Sequence, residues 1–148
     1  MGNKGLEQSQ ILIAESEIDL LTLFREYLSS LGAKTETASS GHEAIEQFLN
    51  GEENERPYDA IVLDTHLLNP SGLDIAKRIR SQKPTQKLVL VTTSPKEYLP
   101  SECLEIAGIK DRDILTMPFQ MSFLGTALKI NFLLIGYYSL VIITIHKA

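Results

Sequence analysis

The chain has 148 residues, of which 43% are hydrophobic and 22% charged, with a formal net charge of −5. That length suits one domain around one core, and the negative balance offers no basic surface to hold a phosphate backbone, which argues against direct nucleic-acid binding. Cys103 is the only cysteine, which excludes an internal disulfide and a thiolate metal cluster and fits a reducing, cytoplasmic compartment.

The N-terminal stretch MGNKGLEQSQ is polar and lacks the apolar segment of a secretory signal, and Leu6 stands where a myristoylation motif needs Ser or Thr. Residues 1–8 are expected to form a disordered arm. A first apolar run, QILIA (10–14), precedes Leu21, Phe24, Leu28 and Leu31, which fall three and four residues apart, with Gly32 where a helix C-terminus wants it. That spacing predicts the first helix. The run KTETA (34–38) leads to a second helix capped by Ser40, with Ala44, Ile45 and Phe48 inward and the polar stretch NGEENERP (50–57) as the loop that ends it. DAIVLD (59–64) precedes a third helix from Gly72 to Gln82, with Leu73, Ala76 and Ile79 inward. KLVLVTT (87–93) precedes a short fourth helix in PSECLEIAG, and DILTM (113–117) is followed, after Pro118, by a fifth helix from around Ser122.

The first, third and fourth runs are almost continuously apolar, as strands covered on both faces should be, and helical crossovers oblige them to run parallel. The expected fold is an α/β, doubly wound parallel sheet. Chemistry in such sheets gathers beyond the carboxyl ends of the strands. Those positions are Glu15 and Ser16, Asp64, Thr92 and Thr93, and Met117 with Pro118. An Asp that follows a strand has a bland reading as a turn or cap residue. With Glu15 on the same edge, however, the oxygens suit a small hard cation that keeps most of its waters, Mg²⁺. Beside such an ion Asp64 can attack phosphoryl groups, while the Thr92 hydroxyl bonds a phosphoryl oxygen.

On four stretches, ILIAESEIDLL, YDAIVLDTHLLNPSGLDIAKRIR, LVLVTTS and ILTMPF, the chain from about residue 9 to 130 resembles the response-regulator receiver domain of two-component signalling. The resemblance implies a five-stranded, flavodoxin-like (CheY-like) (βα)5 sheet of strand order 2-1-3-4-5. It implies Asp64 as the phosphoacceptor, with Gly72 eight residues on and a regular helix after it. Glu15 matches the first acid of a metal-binding pair, and His66 the residue whose backbone carbonyl ligates Mg²⁺, its side chain having no part. Thr92 matches the hydroxyl that changes partner on phosphorylation. The sequence departs from the family at Ser16, where a second acid is expected and only a weak metal ligand stands, so the Mg²⁺ site is expected to be weakened. Met117 replaces the Lys that pairs with the phosphoryl group, a charge-assisted contact worth about 1.5–3 kcal/mol. Ile114 replaces an aromatic residue, Leu68 a Pro, and two extra residues follow Gly108. Glu17 is the next carboxylate along, and Pro118 keeps the option of the cis peptide common in the family.

The resemblance implies a phosphorelay receiver with no enzyme activity of its own. The phosphoryl group would come from a histidine kinase or phosphotransfer protein, and the signal would leave through a downstream partner protein. Two alternatives stay open: a pseudo-receiver that binds a partner whatever its phosphorylation state, and a phosphohydrolase with Asp64 as nucleophile, although such enzymes want a second Asp where His66 stands. Residues 131–148 form an apolar extension, uncharged from Asn131 to Ile145 and shorter than the roughly 20 residues of a membrane-spanning helix. Its LVIITI end also suits an edge that pairs with another chain. A homodimer surface, a membrane contact and a chain end without function all remain open, and the extension is too short for an output module.

Overall fold

The computed structural model describes residues 9–128, in which five strands alternate with five helices. They are β1 (Gln10–Ala14), α1 (Ile18–Ser30), β2 (Lys34–Ala38), α2 (Gly41–Glu53), β3 (Ala60–Asp64), α3 (Gly72–Gln82), β4 (Lys87–Thr92), α4 (Ser101–Ile106), β5 (Ile114–Thr116) and α5 (Met121–Leu128). All four strand pairings are parallel and the order is β2-β1-β3-β4-β5, as the resemblance implies.

Successive side chains of a strand point to opposite faces of the sheet, and here that period of two sorts the apolar runs into two cores. Leu12, Ile61, Leu63, Leu88 and Leu90 meet Ile45 and Phe48 of α2 and Ile75 and Ile79 of α3. Ile11, Ile13, Val62, Val89 and Val91 meet Leu21, Phe24 and Leu28 of α1 and Leu124 and Leu128 of α5. Burial on both faces is why β1, β3 and β4 show no polar alternation.

Local chemistry sets most helix ends where the sequence places them. α1 stops at Gly32, whose φ of 93° is open to glycine, and the Ala33 N–H returns to the Leu28 carbonyl at 3.1 Å. Ser40 accepts from the Glu43 N–H at 3.2 Å while Glu43 accepts from the Ser39 N–H at 2.6 Å, so both side chains fix the start of α2. α2 runs on to Glu53, through residues that the sequence assigns to a loop. No proline interrupts Asn50–Glu53, and the chain turns only at Glu55, where φ is 59°. In α3 the buried face centres on Ile75, Ala76 and Ile79, with Leu73 half-buried, so Ile75 belongs in the predicted set.

β5 is shorter than predicted because Asp111–Asp113 form a 3₁₀ turn, held by the Lys87–Asp113 ion pair at 2.7 Å and the Lys110 N–H at 3.0 Å from Asp113. The stretch lengthened after Gly108 leads into this turn. The Arg80 guanidinium of α3 donates to the carbonyls of Ala107, Pro84 and Gln86 at 2.8, 2.7 and 2.6 Å, tying the end of α4 to the start of β4.

The expected arm (1–8) and the apolar extension (131–148), with its dimer and membrane readings, lie outside the described residues. Among the described residues no helix is long and apolar enough to cross a membrane.

Candidate functional site

β3 is paired to β1 on one side and to β4 on the other, so the residues at their carboxyl ends lie side by side. Glu15, Asp64 and Thr92 are 3%, 8% and 1% exposed, an unusual degree of burial for two carboxylates. Ser16 is exposed, yet its hydroxyl donates to Asp64 Oδ2 at 3.3 Å. The other Asp64 oxygen, Oδ1, accepts from the His66 backbone N–H at 2.9 Å. Asp64 is therefore held by one residue from each adjoining loop.

The glycine eight residues beyond Asp64 has a steric cause. A Cβ on Gly72 would lie 2.1 Å from the Asp64 carbonyl oxygen, so α3 can begin directly against β3 only without a side chain there. Ser71 caps that helix by accepting from the Asp74 N–H at 3.2 Å.

Glu15 accepts from the Glu17 N–H at 3.0 Å. Burial pushes its carboxyl pKa up to about 7; the bond from Glu17 pulls it down, and the nearby Asp64 carboxylate adds to the rise. The Glu17 side chain is itself exposed, and among the described residues no three His, Cys, Asp or Glu side chains converge as a metal cage. Glu17 thus does not supply the acid that Ser16 lacks. Two buried carboxylates that repel each other still favour a cation. The donor set would be Glu15, Asp64 and the His66 backbone carbonyl, with the Ser16 hydroxyl as a neutral fourth, all oxygens of the kind Mg²⁺ takes.

Thr92 Oγ accepts from the Ser94 N–H at 3.0 Å, which fixes the oxygen and leaves the hydroxyl proton to donate. Thr93, grouped with it in the sequence, lies beyond β4 and is exposed. Its hydroxyl sits 3.0 Å from His66 Nε2, and Thr65 Oγ lies 3.4 Å from Nδ1. The His66 side chain, given no part by the sequence, therefore joins two loops. Met117 is half-buried against the core on the α1 and α5 side of the sheet, and its N–H donates to the Thr92 carbonyl at 2.7 Å. A thioether packs where the resemblance expects an ammonium group. Among the described residues no ion pair reaches Glu15 or Asp64. The Met117–Pro118 peptide is cis.

An open groove of about 1150 Å³ lies beside β2 and the end of α2, lined by Lys34, Glu36, Gln47, Arg56 and Tyr58 among others, and none of the predicted site residues lines it.

The sequence model of the response regulator receiver domain matches residues 11–129. The chain is 32% identical over 110 residues to the alkaline phosphatase synthesis transcriptional regulatory protein PhoP of Bacillus subtilis, an overlap of 74% of this chain and 42% of that protein. It is 29% identical over 100 residues to two-component response regulator 24 of Arabidopsis thaliana, covering 68% of each. The chain spans less than half the length of the Bacillus relative. Among solved structures, the response regulator protein TrrA of Thermotoga maritima, in complex with Mg²⁺ and BeF, is similar with a TM-score of 0.70 and 27% identity, over 82% of this chain and 96% of that one.

Proposed function

Because this chain belongs to the response regulator receiver domain family, we propose that it takes a phosphoryl group on Asp64 from a histidine kinase or phosphotransfer protein and signals through contacts with a downstream protein partner. The observation that carries this reading is Asp64 itself, a carboxylate at the end of β3 that is 8% exposed and oriented by the His66 N–H and the Ser16 hydroxyl, between Glu15 and Thr92. In the reaction an Asp64 oxygen bonds to phosphorus as the donor's imidazole nitrogen leaves. The Thr92 hydroxyl then donates to a phosphoryl oxygen. Glu15, Asp64 and the His66 carbonyl would hold Mg²⁺, with Ser16 a weak contributor, and the ion when bound supplies positive charge beside the phosphoryl oxygens. Its affinity is lowered by the hydroxyl at Ser16. A domain with this chemistry is a signalling module rather than an enzyme acting on a substrate of its own, and the single cysteine suits a reducing cytoplasm.

A second reading is favoured by two observations. The Ser16 hydroxyl already satisfies Asp64 Oδ2 and Met117 contributes no charge, so the site stands without a phosphoryl group. In that reading the domain binds its partner in either state. Incubation with Mg²⁺ and acetyl phosphate, followed by intact mass, separates the two. The receiver reading predicts the added mass of one phosphoryl group, absent in Asp64→Asn; no added mass, or mass that survives the substitution, contradicts it.

A further inference from the structure

The first turn of α2 reaches the loop that follows Asp64. Gly41 is the first residue of that helix, and its N–H, one of those that a helix leaves without an internal partner, donates to the Leu68 carbonyl at 3.1 Å. A Cβ on Gly41 would lie 2.1 Å from the Pro70 carbonyl oxygen and 2.7 Å from the Pro70 nitrogen, so the loop can rest here only on a residue without a side chain. The chain turns back at Asn69, where φ is 59°, and thus both Leu68 and Pro70 meet Gly41. Leu68 stands where the resemblance expects a Pro, and its side chain, 71% exposed, anchors nothing. The peptide between His66 and Leu67, whose carbonyl belongs to the donor set for Mg²⁺, lies between two anchors. On the β3 side Leu67 is buried and its N–H donates to the Asp64 carbonyl at 3.2 Å. On the other side the anchor is Gly41.

Resting on the reading of Asp64 and the oxygens around it as a Mg²⁺-assisted phosphoacceptor site, we propose that Gly41 is a positioning residue for the cation. The start of α2 fixes the tip of the loop, and through it the direction of the His66 carbonyl. Mg²⁺ demands near-ideal octahedral geometry, so a ligand oxygen that can swing costs affinity. With a neutral hydroxyl at Ser16 in place of a second acid, each remaining oxygen matters more. One peptide hydrogen bond makes a modest contribution, so its loss lowers the affinity by a small factor and leaves Asp64 in place. The coupling is reciprocal: an ion that holds the carbonyl also holds the loop against Gly41.

The test is a titration of the full chain with magnesium chloride, followed by the amide resonances of Asp64, His66 and Leu67. Gly41→Ala should raise the dissociation constant about three- to tenfold, within what one such bond supplies. Gly51→Ala is the control. It puts a Cβ 2.8 Å from the Arg56 carbonyl oxygen at the other end of the same helix, so it should also lower stability, yet keep the wild-type affinity. In the wild-type chain, saturating Mg²⁺ should slow hydrogen exchange at the Gly41 amide by a similar factor and leave the Asn54 amide, beyond the far end of α2, unchanged. An unchanged dissociation constant in Gly41→Ala, an equal loss in Gly51→Ala, or an unchanged exchange rate at Gly41 overturns the proposal and leaves the receiver reading intact. Should Gly41→Ala not fold, the exchange measurement decides. A wild-type chain whose amides do not respond to Mg²⁺ overturns the cation site itself and this proposal with it.

Discussion

Every residue of β3 is buried and both of its edges are paired, whereas none of the six residues of α4 is buried and no side chain caps its first turn. β3 feeds both cores at once through Ile61 and Leu63 on one face and Val62 on the other. α4 is held by the half-buried Leu104, by Ala107 just beyond its end and by the grip of Arg80 on the Ala107 carbonyl. Asp64 therefore stands on one of the most restrained of the described elements, and the chain that follows Thr92 leads into one of the least restrained. A phosphoryl group on a fixed carboxylate can act only on what is able to respond. Under the proposed function the weakly packed segment is the one free to respond, because few buried apolar contacts oppose its movement.

Substitutions should reproduce this contrast. The largest effect is expected in β3: Leu63→Ala leaves a cavity in a filled core and should lower stability by about 2–5 kcal/mol, read from the urea midpoint. A loss below about 1 kcal/mol would show that β3 is less fixed than its burial implies.

Gly72→Ala comes next. Its Cβ would meet the Asp64 carbonyl oxygen at 2.1 Å, a backbone atom that cannot swing aside, so a loss of about 3 kcal/mol is expected, at the upper end for overpacked sites.

The third prediction concerns pH. Glu15 has a pKa of about 7 in the folded chain against 4.5 as the ordinary value, so the folded state binds this proton more tightly. Its contribution is fully present below pH 4.5 and is lost as the pH rises through about 7. In metal-free protein Glu15→Gln should therefore be more stable than wild type above pH 7, by about 2 kcal/mol, with the gap closing below pH 4.5. Added Mg²⁺ should raise the wild-type melting temperature above pH 7 and have little effect on Glu15→Gln. A constant gap across this range would contradict the assignment.

The smallest effect belongs to α4. Ile106 is 58% exposed, and Ile106→Ala should change stability by less than about 0.5 kcal/mol while leaving β3 untouched.

The same contrast explains what was legible in the sequence. β3 could be read because continuous burial leaves a continuous apolar run, and Asp64 stood out as the charge that ends it. Glu15 and Thr92 followed from the same rule at neighbouring strand ends. The last turn of α2 was missed because Asn50, Gly51, Glu52 and Glu53 have loop-like composition, while a helix already begun needs only the absence of a stop. The bond from His66 to Thr93 was missed for a different reason: it spans two irregular loops, where no periodicity relates one residue to the other. The raised pKa of Glu15 also escaped notice, since it depends on burial beside Asp64 rather than on spacing. In this chain, regular elements and their ends are written locally. The finish of the site is set where separate loops meet.

The central claim is that Asp64 is the phosphoacceptor, and the most direct test is to locate the phosphoryl group after treatment with acetyl phosphate and Mg²⁺. Borohydride trapping of the acyl phosphate followed by peptide mapping should place the modification on Asp64, in the peptide that contains AIVLD. A modification at another carboxylate, or none on a chain that remains folded, would contradict the account.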